Sequence, residues 1–118
     1  MQTYRDLIVW QKSLELVEII YATTQDLPET EKFGLTNQMR RAAVSIPSNI
    51  AEGHERQSTK DFAHFLTIAR GSAAELETQI IISAKLQFIK RQKTEELLTK
   101  TSEIKKMLFS LRKKLQTK

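Results

Sequence analysis

The stretch Leu97-Leu98-Thr99-Lys100-Thr101-Ser102-Glu103-Ile104-Lys105-Lys106-Met107-Leu108-Phe109-Ser110-Leu111-Arg112-Lys113-Lys114-Leu115 places Leu97, Thr101, Ile104, Leu108, Leu111 and Leu115 at alternating steps of four and three. That is the heptad spacing of a helix which lays one narrow stripe against neighbours. Such a helix draws most of its stability from packing that stripe rather than from intrinsic propensity. The spacing therefore predicts a final helix over about 92–116 and, with it, other helices for it to pack on.

Three upstream segments supply them. Leu7, Trp10, Leu14, Val17 and Tyr21 fall on one stripe and predict a helix over about 7–26. Val9, Leu16 and Ile20 make a second apolar side on the same helix, which suggests a further contact, with another subunit. Leu27-Pro28-Glu29-Thr30 interrupts the pattern: Pro28 disfavours helical dihedrals at Leu27, and Thr30 can cap the next helix. That second helix, over about 31–53, carries Leu35, Met39, Ala42, Ala43, Ile46 and Ile50. Pro47 removes one of its backbone bonds and predicts a kink near Ala43, while Gly53 reads as its end. Ser58-Thr59-Lys60-Asp61 then offers a cap with an acid three residues on. Phe62, Phe65, Ala69, Ala73, Leu76, Ile80 and Ala84 come after it, for a third helix over about 58–87. The expected fold is all-α: one domain, residues 1–118, as an antiparallel up-down-up-down four-helix bundle with a proline-kinked second helix.

Composition agrees. A chain of 118 residues, 40% hydrophobic, with three glycines and two prolines, is sized for one core and lacks the punctuation of many short strands. The absence of cysteine excludes disulfides and thiolate metal sites, and points to a reducing compartment such as the cytoplasm. Charged and polar residues break up the N-terminal region, unlike a signal peptide, and no apolar run approaches the roughly 20 residues that span a bilayer. No membrane partner is expected. Residues 1–84 carry 8 basic and 11 acidic side chains, whereas residues 85–118 carry 11 and 3. The net charge of +5 is thus concentrated at the C-terminal end, where it would attract a polyanion.

Candidate chemistry is sparse. A carboxylate-bridged metal centre in a four-helix bundle needs repeated Glu-x-x-His pairs. The nearest approach is Asp61-x-x-His64, with His54 and Glu52 or Glu55 as companions, and this falls short. Neither a Gly-x-Ser-x-Gly elbow nor a glycine-rich phosphate loop occurs. The expectation is therefore no metal, no cofactor, no catalytic residue and no enzyme activity. Ser45 and Ser72 read as small packed residues. Ala42-Ala43, Ala51 and Gly71-Ser72-Ala73-Ala74 suggest close helix crossings, because a glycine inside a helix costs up to about 1 kcal/mol against alanine and calls for a packing reason. Arg40, Arg41 and Arg70 lie near these patches, with Glu52, Glu75 and Glu77 as possible ion-pair partners. Alternatively, Arg40, Arg41 and Arg56 line a basic groove that contacts phosphates. Lys105, Lys106, Arg112, Lys113 and Lys114 lie off the leucine stripe. They form either a solvated face that complements the helix dipole or a surface for a nucleic-acid backbone. No aromatic is expected to interleave with these lysines, so base stacking is not expected either.

The stretch Phe33-Gly34-Leu35-Thr36-Asn37-Gln38-Met39-Arg40-Arg41-Ala42-Ala43-Val44-Ser45-Ile46-Pro47-Ser48-Asn49-Ile50-Ala51-Glu52-Gly53 resembles the signature of the four-helix-bundle family named after the 23S rRNA intervening sequence. Leu7-Ile8-Val9-Trp10 before it and Ala69-Arg70-Gly71-Ser72-Ala73-Ala74-Glu75-Leu76-Glu77 after it extend the likeness over nearly the whole chain. The resemblance implies a homopentameric barrel of bundles. It also implies kinship with the accessory protein of diversity-generating retroelements, where a basic surface engages nucleic acid and reverse transcriptase. Carried over by position, Pro47, Asn49, Glu52 and Gly53, with Gly71 and Glu75, are architectural residues. The combined expectation is a noncatalytic oligomeric bundle that binds RNA, or DNA, through phosphates, alone or beside a protein partner. The rival is a protein scaffold that binds no nucleic acid.

Overall fold

The computed structural model describes residues 3–116. After a 3-10 turn at Tyr4–Asp6, capped by Thr3, come four helices: α1 (Ile8–Thr24), α2 (Leu35–Glu55), α3 (Thr59–Lys85) and α4 (Arg91–Gln116). A second 3-10 turn, Glu29–Glu31, precedes α2. Cross-helix contacts fix the directions. Ser45 meets Ser72 and Met39 meets Ser83 between α2 and α3. Glu77 meets Lys105, and Arg70 meets Phe109, between α3 and α4. Rising numbers meet falling ones in each pair, so these neighbours are antiparallel. The result is an elongated all-α bundle of 46 × 22 × 19 Å.

The ends follow from local chemistry. Ser58 caps α3 by accepting from the Asp61 amide, as its sequence promised. The two hairpin turns each place a non-glycine residue in the left-handed region, Gln57 (φ 58°) and Gln87 (φ 65°). The second helix does not end at Gly53 but continues to Glu55. Gly53 has another purpose: a Cβ there would lie 2.6 Å from Phe65 Cβ and 3.2 Å from the Phe62 ring. Only a hydrogen lets α3 approach so closely. Gly71 reverses the expectation the other way, because a Cβ added there would meet nothing within 4 Å. It marks an open surface, not a crossing.

Pro47 is buried inside α2, which runs past it without interruption. Its missing N–H leaves the Ala43 carbonyl without its helical donor. Asn49 turns back on the same segment, and its Nδ2 donates to Ser45 O at 2.8 Å and to Ser45 Oγ at 2.9 Å.

Met39, Ile46, Ile50, Leu66, Leu76, Ile80, Leu97, Ile104 and Leu108 fill the core with almost no exposure. On α4 the heptad stripe is the buried one, with Leu111 and Leu115 partly covered near its end. On α1 the inward stripe is different from the one expected. Val9, Ser13, Leu16, Ile20 and Thr24 are buried, while Leu14 and Tyr21 are exposed and Trp10 and Val17 only partly covered. The helix is apolar on both sides, so hydrophobic period does not choose between them. Two hydroxyls on the buried side hide it further, each satisfied by its own helix: Ser13 donates to Trp10 O, and Thr24 to Ile20 O, both at 2.7 Å.

Leu16→Ala is expected to lower the unfolding free energy by about 2–5 kcal/mol, and Leu14→Ala by less than about 1 kcal/mol, in urea titrations followed by circular dichroism. A larger loss at Leu14 would place the other stripe inward. In the same assay Gly53→Ala is expected to destabilise, whereas Gly71→Ala stabilises by up to about 1 kcal/mol through helix propensity.

Candidate nucleic-acid interface

The N-terminal half of α3 lies beside the C-terminal half of α4, and two adjoining hollows run along their outer seam. One, of about 360 Å³, has Leu66, Gly71 and Leu108 in its walls, with Arg70, Lys105, Phe109 and Arg112 around them. The other, of about 610 Å³, is lined by Lys60, His64 and Arg112 together with the hydroxyls of Thr59 and Thr67. Thr67 and Arg112 belong to both, so the hollows form one groove. No aspartate or glutamate lines either hollow. Lys60 and Arg112 form no ion pair or hydrogen bond among the described residues.

Helical geometry explains why the five basic residues expected on α4 do not act as one face. Successive residues turn by about 100°. Lys105 and Arg112, seven apart, face α3. Lys106 and Lys114 instead line a different hollow, against Leu7 and Ile8 next to α1. Lys113 is exposed. Lys105 is also engaged: its Nζ sits 2.7 Å from Glu77 Oε1 in a half-buried ion pair, and Thr101 donates to the other carboxylate oxygen at 3.2 Å.

The arginines nominated on α2 lie elsewhere. Arg40 knits α2 to α1, donating through Nε to Thr24 Oγ1 at 2.9 Å while its guanidinium lies 4.5 Å above the Tyr21 ring centre. Arg41 is exposed on α2. Arg56, at the α2–α3 turn, pairs with Glu52 at 3.0 Å and covers the Phe65 ring. Glu75 is exposed on α3 and joins no ion pair among the described residues. Ser45 and Ser72 do more than fill space, for their hydroxyls bond each other at 2.8 Å across the α2–α3 seam.

What sequence reasoning missed is the contribution of α3. Lys60, His64, Thr67 and Gly71 recur at steps of four, three and four, a polar stripe at helical spacing that faces the groove. Phe109 also corrects an expectation: an aromatic does stand among the basic residues, half exposed at 46% and 5.2 Å from the Arg70 guanidinium. His54 and His64 each rest edge-on against a phenylalanine, Phe62 and Phe65 respectively. Among the described residues no three His, Asp or Glu side chains gather into a metal-holding group. A larger cleft, of about 1160 Å³, opens at the far end between α1, α3 and α4. There Lys85, Lys90 and Arg91 share the wall with Asp26 and Glu95, so its field is mixed.

Residues 5–110 match the model of the 23S rRNA-intervening sequence protein family. The chain belongs to that family. A crystal structure of a protein of unknown function from the S23 ribosomal protein family of Bacteroides thetaiotaomicron is 33% identical, with a TM-score of 0.84, covering 90% of this chain and 99% of that one. No curated protein matches. The fold is therefore shared with that solved relative over 90% of the chain. Among the described residues no helix is long and apolar enough to cross a membrane.

Glu77 tests the groove's upper wall. Replacing it with alanine removes the partner of Lys105 and leaves Thr101 with only the Leu98 carbonyl, at 3.1 Å, as acceptor, and is expected to destabilise the bundle by about 1–3 kcal/mol. A thermal melt unchanged from the parent would mean that the pairing carries no stability.

Proposed function

We propose that this intervening-sequence protein is a noncatalytic RNA-binding bundle of the cytoplasm, which holds the phosphate backbone in the α3–α4 groove. One observation carries this reading: every ionisable side chain lining the groove is basic, and none is a carboxylate. Lys60 and Arg112, unpaired among the described residues, keep their charge available to phosphate, and the Thr59 hydroxyl adds a neutral donor, whereas the Thr67 hydroxyl already donates to Ala63 O at 3.1 Å. Affinity of this kind comes from counterion release, so it follows charge rather than sequence.

The exposed apolar side chains favour a second property, that copies of the chain associate. Leu14 and Tyr21 on α1, Val44 on α2, and Ile68, Ile81 and Ile82 on α3 face outward. Leu14 and Tyr21, seven residues apart, share one outward stripe of α1 that a second copy could cover. A closed homopentameric ring, as the family resemblance implies, would cover such residues and repeat the groove around its rim.

Labelled RNA and DNA titrated over a range of salt, with particle mass followed by light scattering, test both properties. Binding by an oligomer, weakening steeply with salt, is the expected result. Replacing Lys60, Arg70 and Arg112 with glutamine is expected to flatten the slope of log affinity against log salt by roughly one unit for each phosphate no longer neutralised. The same change at Lys85, Lys90 and Lys100 leaves it nearly intact. Full binding by the groove variant would exclude the groove as the binding surface, and absence of binding at low salt would favour a protein scaffold.

A further inference from the structure

An exposed phenylalanine inside a cationic groove is at odds with simple phosphate binding. Phe109 projects from α4 between Lys105 and Arg112 and keeps nearly half its surface open to water. Exposed aromatic surface is unfavourable in proportion to its area, and phosphate binding gains nothing from a ring. Beside it α3 offers Gly71, where a Cβ would have nothing within 4 Å. The helix thus forgoes the propensity of alanine at a position where the bundle does not require glycine. Arg70, one residue earlier, lies over the ring with its guanidinium carbon 5.2 Å from the centre, so this face already takes a planar group. The hollow therefore combines a ring, an adjacent guanidinium plane and an empty floor, with cations on its walls.

We infer that this hollow receives an unpaired base of a single-stranded nucleic acid, stacked on Phe109 in the place that the Arg70 guanidinium now takes, while Lys60 and Arg112 hold flanking phosphates. The inference rests on the proposed phosphate binding and adds the class of nucleic acid. In a duplex the bases stack on one another, and their faces are closed to a side chain. A single strand exposes them, and every base has a face for an aromatic ring, so the site is tolerant of sequence. Arginine planes stack on bases in the same way. The hollow, about 360 Å³, suits a planar base and not the full width of a helix.

The experiment compares a uridine homopolymer with an RNA duplex of equal phosphate number, over a salt series, with circular dichroism confirming the fold of each variant. Phe109→Leu keeps an apolar side chain but removes the ring. It is expected to weaken binding of the homopolymer roughly tenfold, the scale of a single base–aromatic stack, with the salt slope and duplex binding unchanged. Phe109→Trp restores affinity, and its indole fluorescence is quenched by the homopolymer and not by the duplex. Gly71→Leu, which has the better helix former and so folds, fills the floor and lowers homopolymer affinity alone. If Phe109→Leu acts equally on both ligands, or on neither while binding remains salt-dependent, the stacking inference is overturned and phosphate binding stands. If the parent protein binds neither ligand at low salt, both fall.

Discussion

Two backbones that approach closely set the geometry of everything else in this molecule. Where α2 passes α3, Gly53 leaves room for Phe65, fully buried alanines at 43, 69 and 73 bring the helices together, and Ser45 and Ser72 share a hydrogen bond. Approaches this short leave no space for an extra methyl group, because protein interiors are packed to crystal-like density. With one flank held against α2 in this way, α3 has a defined rotation. Leu66, Leu76 and Ile80 then fall into the core, and Lys60, His64, Thr67 and Gly71 onto the outer seam with α4. The groove is thus a consequence of the α2–α3 packing as much as of the residues that line it.

Helix number and order were legible in the sequence because turns and stripes agreed: Pro28, Ser58 and the leucines of α4 each mark a boundary or a buried face. The orientation of α1 was not. A helix with apolar residues on two sides gives two equivalent answers, and burying Ser13 and Thr24 is cheap once their hydroxyls bond the preceding turn. The glycines were exchanged for the same reason, since sequence shows that a side chain is missing but not whether a neighbour fills the space. Gly53 has that neighbour and Gly71 lacks it.

The site was half legible. Charge composition located the basic end of the chain, but a count of lysines carries no direction. Seven-residue spacing joins Lys105 to Arg112, and the intervening turn sends Lys106 toward α1. The α3 half was hidden because its cations are spread among alanines and threonines, and become a set only when α4 is laid against them. Charge pairing also sorts the candidates. Arg56 and Lys105 are tied to carboxylates, while Arg40 is committed to the α1–α2 junction. The exposed Arg56–Glu52 pair adds little stability, yet both pairs decide which positive groups remain for a partner.

The two hairpin turns bear on how the chain reaches this state. Each joins antiparallel helices within a few residues, at Gln57 and at Gln87, so most packing forms between segments that are neighbours in sequence. Chains with such local pairings lose little loop entropy before native packing begins, and helical bundles of this kind reach the folded state in microseconds to milliseconds. The exception is the α1–α4 seam, where Lys12 meets Glu103 across almost the whole chain. That seam closes a far longer loop than either hairpin turn, so its contacts cost more chain entropy to form.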